Sequence, residues 1–494
     1  MTIAFSTRSG GSSESRSSTS GATAPAEVSP SGPGATGPVA PAATGIRKLV
    51  LTAASWSMMG YIAGQILRIA GNLVLTRILA PDLFGIAAVA TMTSVFVALL
   101  SDIGLHPAVI QNPRGEDQRF LDTAWVIQIV RGWVGWLASI LIALGIGSLA
   151  THGWVPAQSV YATPDLPYII IGASFAFVIG GFQSTKYISS YRNLGLSMIA
   201  KIDLTSQALG LVVAIILSWL TQSVWALVIS NLISSLIAAI LSHRWIPGTP
   251  NRFRINKNDA LEILTFGRWI MVSSFFTIFS ANGDRILLGN WASSTTFGLY
   301  GLALNLVSMI DGVGARLYGS VGTPLLSKLA RENPAGLRRS YFKLRLPFDL
   351  LLIGSAGFLF ACGQTIIDLL YDHRYASAGP MLQTLSFALF MARFNIMTPV
   401  YIAIGQPRYF GILNIARAAL LFTLVPLAYL IFGFDGALWA IALHALPTVP
   451  LIYYFNSRHN LNSWIFEIFV LVAWPLGFKL GSMIVNDASS FLPH

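Results

Sequence analysis

Apolar stretches long enough to cross a bilayer recur along this chain. They fall roughly at residues 51–75, 84–105, 122–147, 166–185, 202–220, 223–242, 261–283, 298–322, 346–370, 380–404, 410–432, 436–456 and 464–485. A helix rises 1.5 Å per residue, so about 20 residues cross a hydrocarbon core roughly 30 Å thick. Strands of a membrane barrel would be about ten residues long and would alternate in polarity, and these blocks do neither. Only 10% of the residues are charged, against 54% hydrophobic. A water-facing surface normally draws on about 25% charged residues. The 494 residues therefore do not read as three soluble domains, the prior that length alone suggests. They predict an all-α polytopic membrane protein with thirteen spans.

The linkers are short, the longest near 148–165, 243–260 and 323–345, so no domain is expected outside the membrane. Residues 1–46 are rich in Ser, Gly, Ala, Thr and Pro and hold almost no large apolar side chain. Such a segment cannot build a core and is expected to be a disordered cytoplasmic tail, or the product of an upstream start codon. No apolar stretch precedes Arg47 and Lys48, so it is not a signal peptide. The single cysteine, Cys362, excludes an intrachain disulfide and a cysteine metal cluster.

A net charge of +11 raises the question of nucleic acid, but the distribution of the charge answers it. With the N-terminus in the cytoplasm, the inner loops carry seventeen lysines and arginines, six of them between Lys328 and Arg345. The outer loops carry only Arg77, Arg285 and Arg374. This is the bias expected of cytoplasmic loops, and no nucleic-acid partner is needed to explain it. The thirteenth span leaves the side of His494 open, since a re-entrant hairpin there would return the chain to the cytoplasm.

A duplication is visible. Arg77-Ile78-Leu79 followed by Phe84-Gly85-Ile86 is echoed by Arg285-Ile286-Leu287 followed by Phe297-Gly298-Leu299. Val224-Trp225-Ala226-Leu227 is echoed by Leu438-Trp439-Ala440-Ile441. The two offsets nearly agree. Six spans per half make the halves parallel repeats about an axis along the membrane normal, an arrangement that places a substrate site between them. The expected divisions are 1–46, a six-helix half at 47–258, a second at 259–456, and an extra membrane helix and tail at 457–494. The expected fold is thus two six-helix bundles around a central cavity, plus one C-terminal helix.

Arginines inside the spans are the most informative residues: Arg68, Arg131, Arg268, Arg316, Arg393 and Arg417. Each costs at least about 2.5 kcal/mol at mid-membrane, so each should avoid lipid. Tyr61, Gln65, Arg68 and Asn72 share one helix face by their spacing. Ser273, Thr277, Ser280 and Asp284 form a second stripe, and Asn305, Ser308, Gly312 and Arg316 a third. Polar stripes need water or polar neighbours and are expected to line a cavity. Arg131, Arg268 and Arg417 lie near cytoplasmic ends and have snorkelling to headgroups as an alternative. Asp311 has pairing with Arg316 as an alternative to ion binding, and Asp284 is a further possible ion or salt-bridge residue. Asp203, Asp349, Asp368 and Glu467 sit near span ends and read as interfacial. The excess of guanidinium over carboxylate favours an anionic substrate group such as a phosphate or diphosphate.

Enzymatic signatures are weak. There is no phosphate-binding glycine loop of the ATPase type and no paired-histidine metal motif, so no metal or cofactor is expected. Asp372-His373 stands in an outer loop without a nucleophile and reads as a solvated turn. Two other readings stay open. A drug or cation antiporter would need a buried carboxylate, for which Asp311 is the mid-span candidate. A membrane polymerase or ligase of polysaccharide assembly would need a large outer loop, and the longest, near 148–167, holds only the acid Asp165.

The run Leu75-Thr76-Arg77-Ile78-Leu79-Ala80-Pro81-Asp82-Leu83-Phe84-Gly85, with Ser101-Asp102-Ile103-Gly104-Leu105 and Ile110-Gln111 after it, resembles the Wzx-type oligosaccharide flippases. These form the polysaccharide-transport branch of the multidrug/oligosaccharidyl-lipid/polysaccharide exporter superfamily. Further points of similarity are Val224-Trp225-Ala226-Leu227-Val228, Asp284-Arg285-Ile286-Leu287-Leu288-Gly289, Phe297-Gly298-Leu299-Tyr300, Leu369-Leu370-Tyr371 and Gly405-Gln406-Pro407-Arg408. The resemblance spans 47–456, with order and spacing carrying it. It looks closer to the exopolysaccharide side of the family than to the peptidoglycan-precursor side. It implies a non-enzymatic, alternating-access flippase of the bacterial inner membrane. The implied partners are a polyprenyl-diphosphate-linked oligosaccharide, the bilayer, and polymerase and export machinery. It also implies that cavity arginines engage the anionic head. By placement these are Arg68, Arg268 and Arg316, with Gln65, Asn72 and Asn305 beside them.

Overall fold

Inside hydrocarbon every backbone N–H and C=O must be satisfied within the protein, which leaves helices or a closed barrel. The computed structural model describes residues 43–489, apart from 194, 323–324, 327–328 and 331–333, and the described residues contain helices and no strand. The expected tail at 1–46 falls almost wholly outside the described residues, as does His494. From Lys48 onward the chain is one compact unit.

The helices are α1 (Ala43–Ile78), α2 (Pro81–Leu100), α3 (Leu105–Gln111), α4 (Gln118–Thr151), α5 (Leu166–Ser174), α6 (Ala176–Gly181), α7 (Lys186–Arg192), α8 (Leu196–Thr221), α9 (Val224–Arg244), α10 (Lys257–Trp291) and α11 (Ser294–Leu317). They continue as α12 (Pro334–Leu370), α13 (Ala378–Leu385), α14 (Phe387–Met397), α15 (Val400–Ala403), α16 (Pro407–Leu443), α17 (Val449–Ser457), α18 (Trp464–Leu471) and α19 (Ala473–Ser489). Their starts are written in the sequence. Pro81 opens α2, where a missing N–H goes unnoticed. Ser223, Asn256 and Ser293 cap α9, α10 and α11 by accepting bonds from N–H groups of the first turn. The outer face is apolar: Leu430, Phe432 and Ile465 are 81%, 73% and 84% exposed, which water would penalise and lipid does not.

Among the described residues ten helices are long and apolar enough to cross a membrane, or eleven if the bent stretch from Leu166 to Arg192 is one span. The sequence predicts thirteen. Two places account for the difference. The seventh block lies on α10, 35 residues long, where many side chains fall outside the described residues. The eleventh and twelfth blocks share one 50-residue stretch, Arg408–Ser457. At 1.5 Å per residue that stretch would reach about 75 Å, more than twice the hydrocarbon thickness. It breaks at Gly433, whose φ of 67° and ψ of −153° only glycine adopts readily.

The last helix packs along α12 in the same direction. Ile353 meets Val470 and Ala473, Gly354 meets Gly477, and Phe358 meets Gly481. A β-carbon on Gly477 would stand 2.0 Å from the Gly354 carbonyl oxygen, so the two backbones touch as in small-residue membrane crossings. Parallel packing requires an odd number of passes between α12 and α18–α19. The three blocks at 380–404, 410–432 and 436–456 supply it.

The repeat becomes a contact. A β-carbon on Gly85 would lie 1.8 Å from the Ser294 carbonyl oxygen, and one on Gly298 would lie 2.1 Å from that of Pro81. Each glycine is the fifth residue of its helix and faces the first residue of the other, so α2 and α11 cross reciprocally. The Trp-Ala pairs also pack alike. Trp225 covers Gly172 of α5, and Trp439 sets its ring, tilted by 50°, 5.2 Å from that of Phe387 at the start of α14.

Candidate substrate cavity

The polar stripe of α1 turns inward because the neighbouring stripe of the same helix is small. Gly60, Gly64 and Gly71 lie against Ala200, Gln207 and Leu211 of α8, which holds α1 close on that side. Tyr61, Gln65, Arg68 and Asn72 then face open space. Two adjoining chambers of about 250 Å³ each lie along them. The first is completed by Arg316 of α11 and by α8, including Asp203. The second is completed by Asn305, Ser308 and Met309 of α11 and by Tyr371. Arg68 lines both.

The expected residues therefore converge: Gln65, Arg68, Asn72, Asn305 and Arg316 all line these chambers. The backbone of Arg268 belongs to α10, but its side chain lies outside the described residues, as do those of Ser273, Thr277 and Ser280. Arg316 donates to the Ser57 hydroxyl at 2.9 Å, and its guanidinium lies 5.6 Å from the Tyr61 ring centre. Gly312 makes room for the Tyr61 hydroxyl. Gln65 donates to that hydroxyl at 2.9 Å, while its own carbonyl oxygen is buried without a partner.

Asp311 and Arg316 form no ion pair. They are five residues apart, about 140° around the helix at 100° per residue, and cannot share a face. Asp284 accepts a hydrogen bond from the Tyr300 hydroxyl and has no ion pair among the described residues. Asp203, the one carboxylate lining the first chamber among the described residues, accepts from the Tyr187 hydroxyl at 2.9 and 3.1 Å. Neither Arg68 nor Arg316 has a carboxylate within ion-pair distance among the described residues. The chambers are thus cationic, polar and uncommitted.

The end of α1 beyond the cavity is shut. Arg374 donates to the carbonyls of Thr76 and Arg77, and the Tyr375 hydroxyl donates to that of Leu79 at 2.8 Å. Ser159 donates to Gly289, and the Val160 N–H to Ala292. Asp372-His373, read as a solvated turn, thus belongs to a loop whose next two residues latch α1.

A second charged cluster escaped the sequence reading. Arg345 contacts Asp349 at 2.8 Å and Glu467 at 2.7 Å, and Arg393 contacts Glu467 at 3.0 Å. All four side chains are 8% exposed or less. Asp349 and Glu467 are therefore not interfacial, and Arg345 leaves the inner-loop count. The reason is the early start of α12 at Pro334, which carries Arg345 inward, and the packing of α18 against α12. The i,i+4 spacing of Arg345 and Asp349 was the available signal. Arg417 is also buried, with two nitrogens lacking partners, and does not snorkel.

Fold and cavity together define the class: an all-α polytopic membrane protein with the fold seen in MOP-type transporters. The fold matches the lipid II flippase MurJ in its inward closed conformation, with TM-score 0.59 at 16% identity over 89% of this chain and 99% of that one. It also matches an inward-facing multidrug resistance MATE family transporter of the MOP superfamily, with TM-score 0.56 at 15% identity over 88% and 99%.

The chain belongs to the polysaccharide biosynthesis protein family, whose profile matches residues 74–380. Among curated relatives, the succinoglycan biosynthesis transport protein ExoT of Rhizobium meliloti is 21% identical over 71% of this chain and 67% of its own. The lipopolysaccharide biosynthesis protein WzxC of Escherichia coli is 20% identical over 69% and 67%. The Wzx-type resemblance read from the sequence is met.

Proposed function

We propose that this protein flips a lipid-diphosphate-linked oligosaccharide across the bacterial inner membrane for exopolysaccharide or O-antigen assembly. The observation that carries this reading is the pair Arg68 and Arg316. They are two guanidiniums on facing helices, lining a polar cavity without a carboxylate partner. A diphosphate head cannot cross hydrocarbon unaided, and bidentate guanidinium contacts suit its oxygens. Gln65, Asn72 and Asn305 sit beside them as neutral donors and acceptors. The relatives named for succinoglycan and lipopolysaccharide biosynthesis support the substrate class.

The protein acts without catalysing bond chemistry. The halves 47–258 and 259–456 rock about the α2–α11 crossing while the lipid tail stays in the bilayer. The lysine and arginine bias supports a cytoplasmic N-terminus, and thirteen passes then put the end of α19 outside. In that orientation the cavity opens to the cytoplasm and the Arg374–Tyr375 latch shuts the periplasmic side. A polymerase and export machinery would take up the delivered repeat unit. Arg68→Ala and Arg316→Ala are each expected to abolish polymer export and to leave lipid-linked repeat units on the cytoplasmic face, at normal protein abundance. Full export by both variants overturns the assignment.

A further inference from the structure

A third chamber, of about 420 Å³, lies inside the first half, between α1, α2, α8 and α9. Arg68 stands where it meets the other two and is its only charged lining residue among the described ones. The rest of its polar lining is neutral: Asn72, Gln207, Asn231, Thr91, Ser230 and Ser234. The three amides make no hydrogen bond to another described residue, and the Gln207 carbonyl oxygen is buried without a partner. The three hydroxyls donate to backbone carbonyls, Thr91 to Ala87, Ser230 to Leu227 and Ser234 to Ser206, which leaves their oxygens free to accept.

The geometry points to this chamber as a subsite for the neutral sugar of the substrate, an inference that rests on the flippase reading above. A cation would find no carboxylate there and would meet Arg68 at the mouth. An alkyl chain would leave three amides without partners, at a cost of about 1–3 kcal/mol each. A polyhydroxylated, uncharged group matches the inventory. Each sugar hydroxyl both donates and accepts, as each amide does, and the serine and threonine oxygens accept. The position fits too, since a diphosphate held at Arg68 places the adjoining sugar at the entrance. The division of labour is then guanidinium for the head and amide for the sugar.

The test measures binding to the purified full-length protein of two probes, undecaprenyl diphosphate and the same carrier bearing a neutral hexose disaccharide. The unaltered protein should bind the glycosylated probe more tightly. Asn231→Ala, at a residue that lines the third chamber and neither of the other two, should lose about tenfold for that probe, the scale of a neutral hydrogen bond, and keep its affinity for the bare carrier. Asn231→Leu, which preserves side-chain volume, should show the same selective loss, and unchanged bare-carrier binding certifies its fold. Equal weakening for both probes, or no preference in the unaltered protein, overturns the subsite. Failure of the unaltered protein to bind even the bare carrier overturns the flippase reading instead.

Discussion

Two pairs of arginines sit within the membrane on opposite terms. Arg345 and Arg393 are dry and neutralised by Asp349 and Glu467, with aromatic rings of Phe394 and Phe466 over the guanidiniums. Arg68 and Arg316 are exposed to chambers, and Arg316 leans on nothing stronger than a serine hydroxyl and a tyrosine face. The first pair has its anions built in and joins α12, α14 and α18. The second has no carboxylate within ion-pair distance among the described residues. Residue type alone does not separate structural from functional charge in a bilayer. The presence of an internal counter-ion does.

The largest effect should come from breaking the neutral cluster. Glu467→Ala strands guanidinium charge in a dry site, and should destabilise the protein by about 3–5 kcal/mol. Thermal unfolding in detergent and membrane abundance would read this, and an unshifted melt would remove the structural role. Replacing the pair together, Arg393→Met with Glu467→Leu, should recover most of the loss. No such paired apolar repair should restore export to an Arg68 variant.

A smaller, opposite signature is expected from Arg68→Lys with Arg316→Lys. Charge is kept but the planar fork is lost, so carrier-diphosphate affinity should fall about fivefold to tenfold while the melt is unchanged. A destabilised melt with normal affinity would invert the comparison. The smallest effect is that of salt. Raising the ionic strength about tenfold should weaken diphosphate binding a few-fold, because the chambers are open to solvent. It should barely move the melt that the buried cluster governs.

Much of this was legible beforehand, for identifiable reasons. A chain crossing a bilayer has to satisfy its backbone internally, so the expected apolar blocks fall on helices, some of them broken or merged. The stripes on α1 and α11 were readable because 3.6-residue periodicity fixes which side chains share a face, and Arg68, Asn305 and Arg316 do reach the cavity. The buried cluster was not readable. Its members come from positions 345, 349, 393 and 467, and the start of α12 lies a dozen residues before its apolar block. Asp311 shows the complementary error: closeness in sequence suggested a pair that helical geometry forbids. The third chamber needs four helices to exist, and nothing in the spacing of Asn72, Gln207 and Asn231 announces that they meet.

The α2–α11 crossing has a wider meaning. Residue five of one helix touches residue one of the other, and the reverse holds as well. That is the form of an isologous interface, the kind that joins two identical subunits about a twofold axis. This chain carries such a dimer seam inside one polypeptide. A side chain added at either Gly85 or Gly298 would therefore act on both halves at once, and neither copy is free to drift alone.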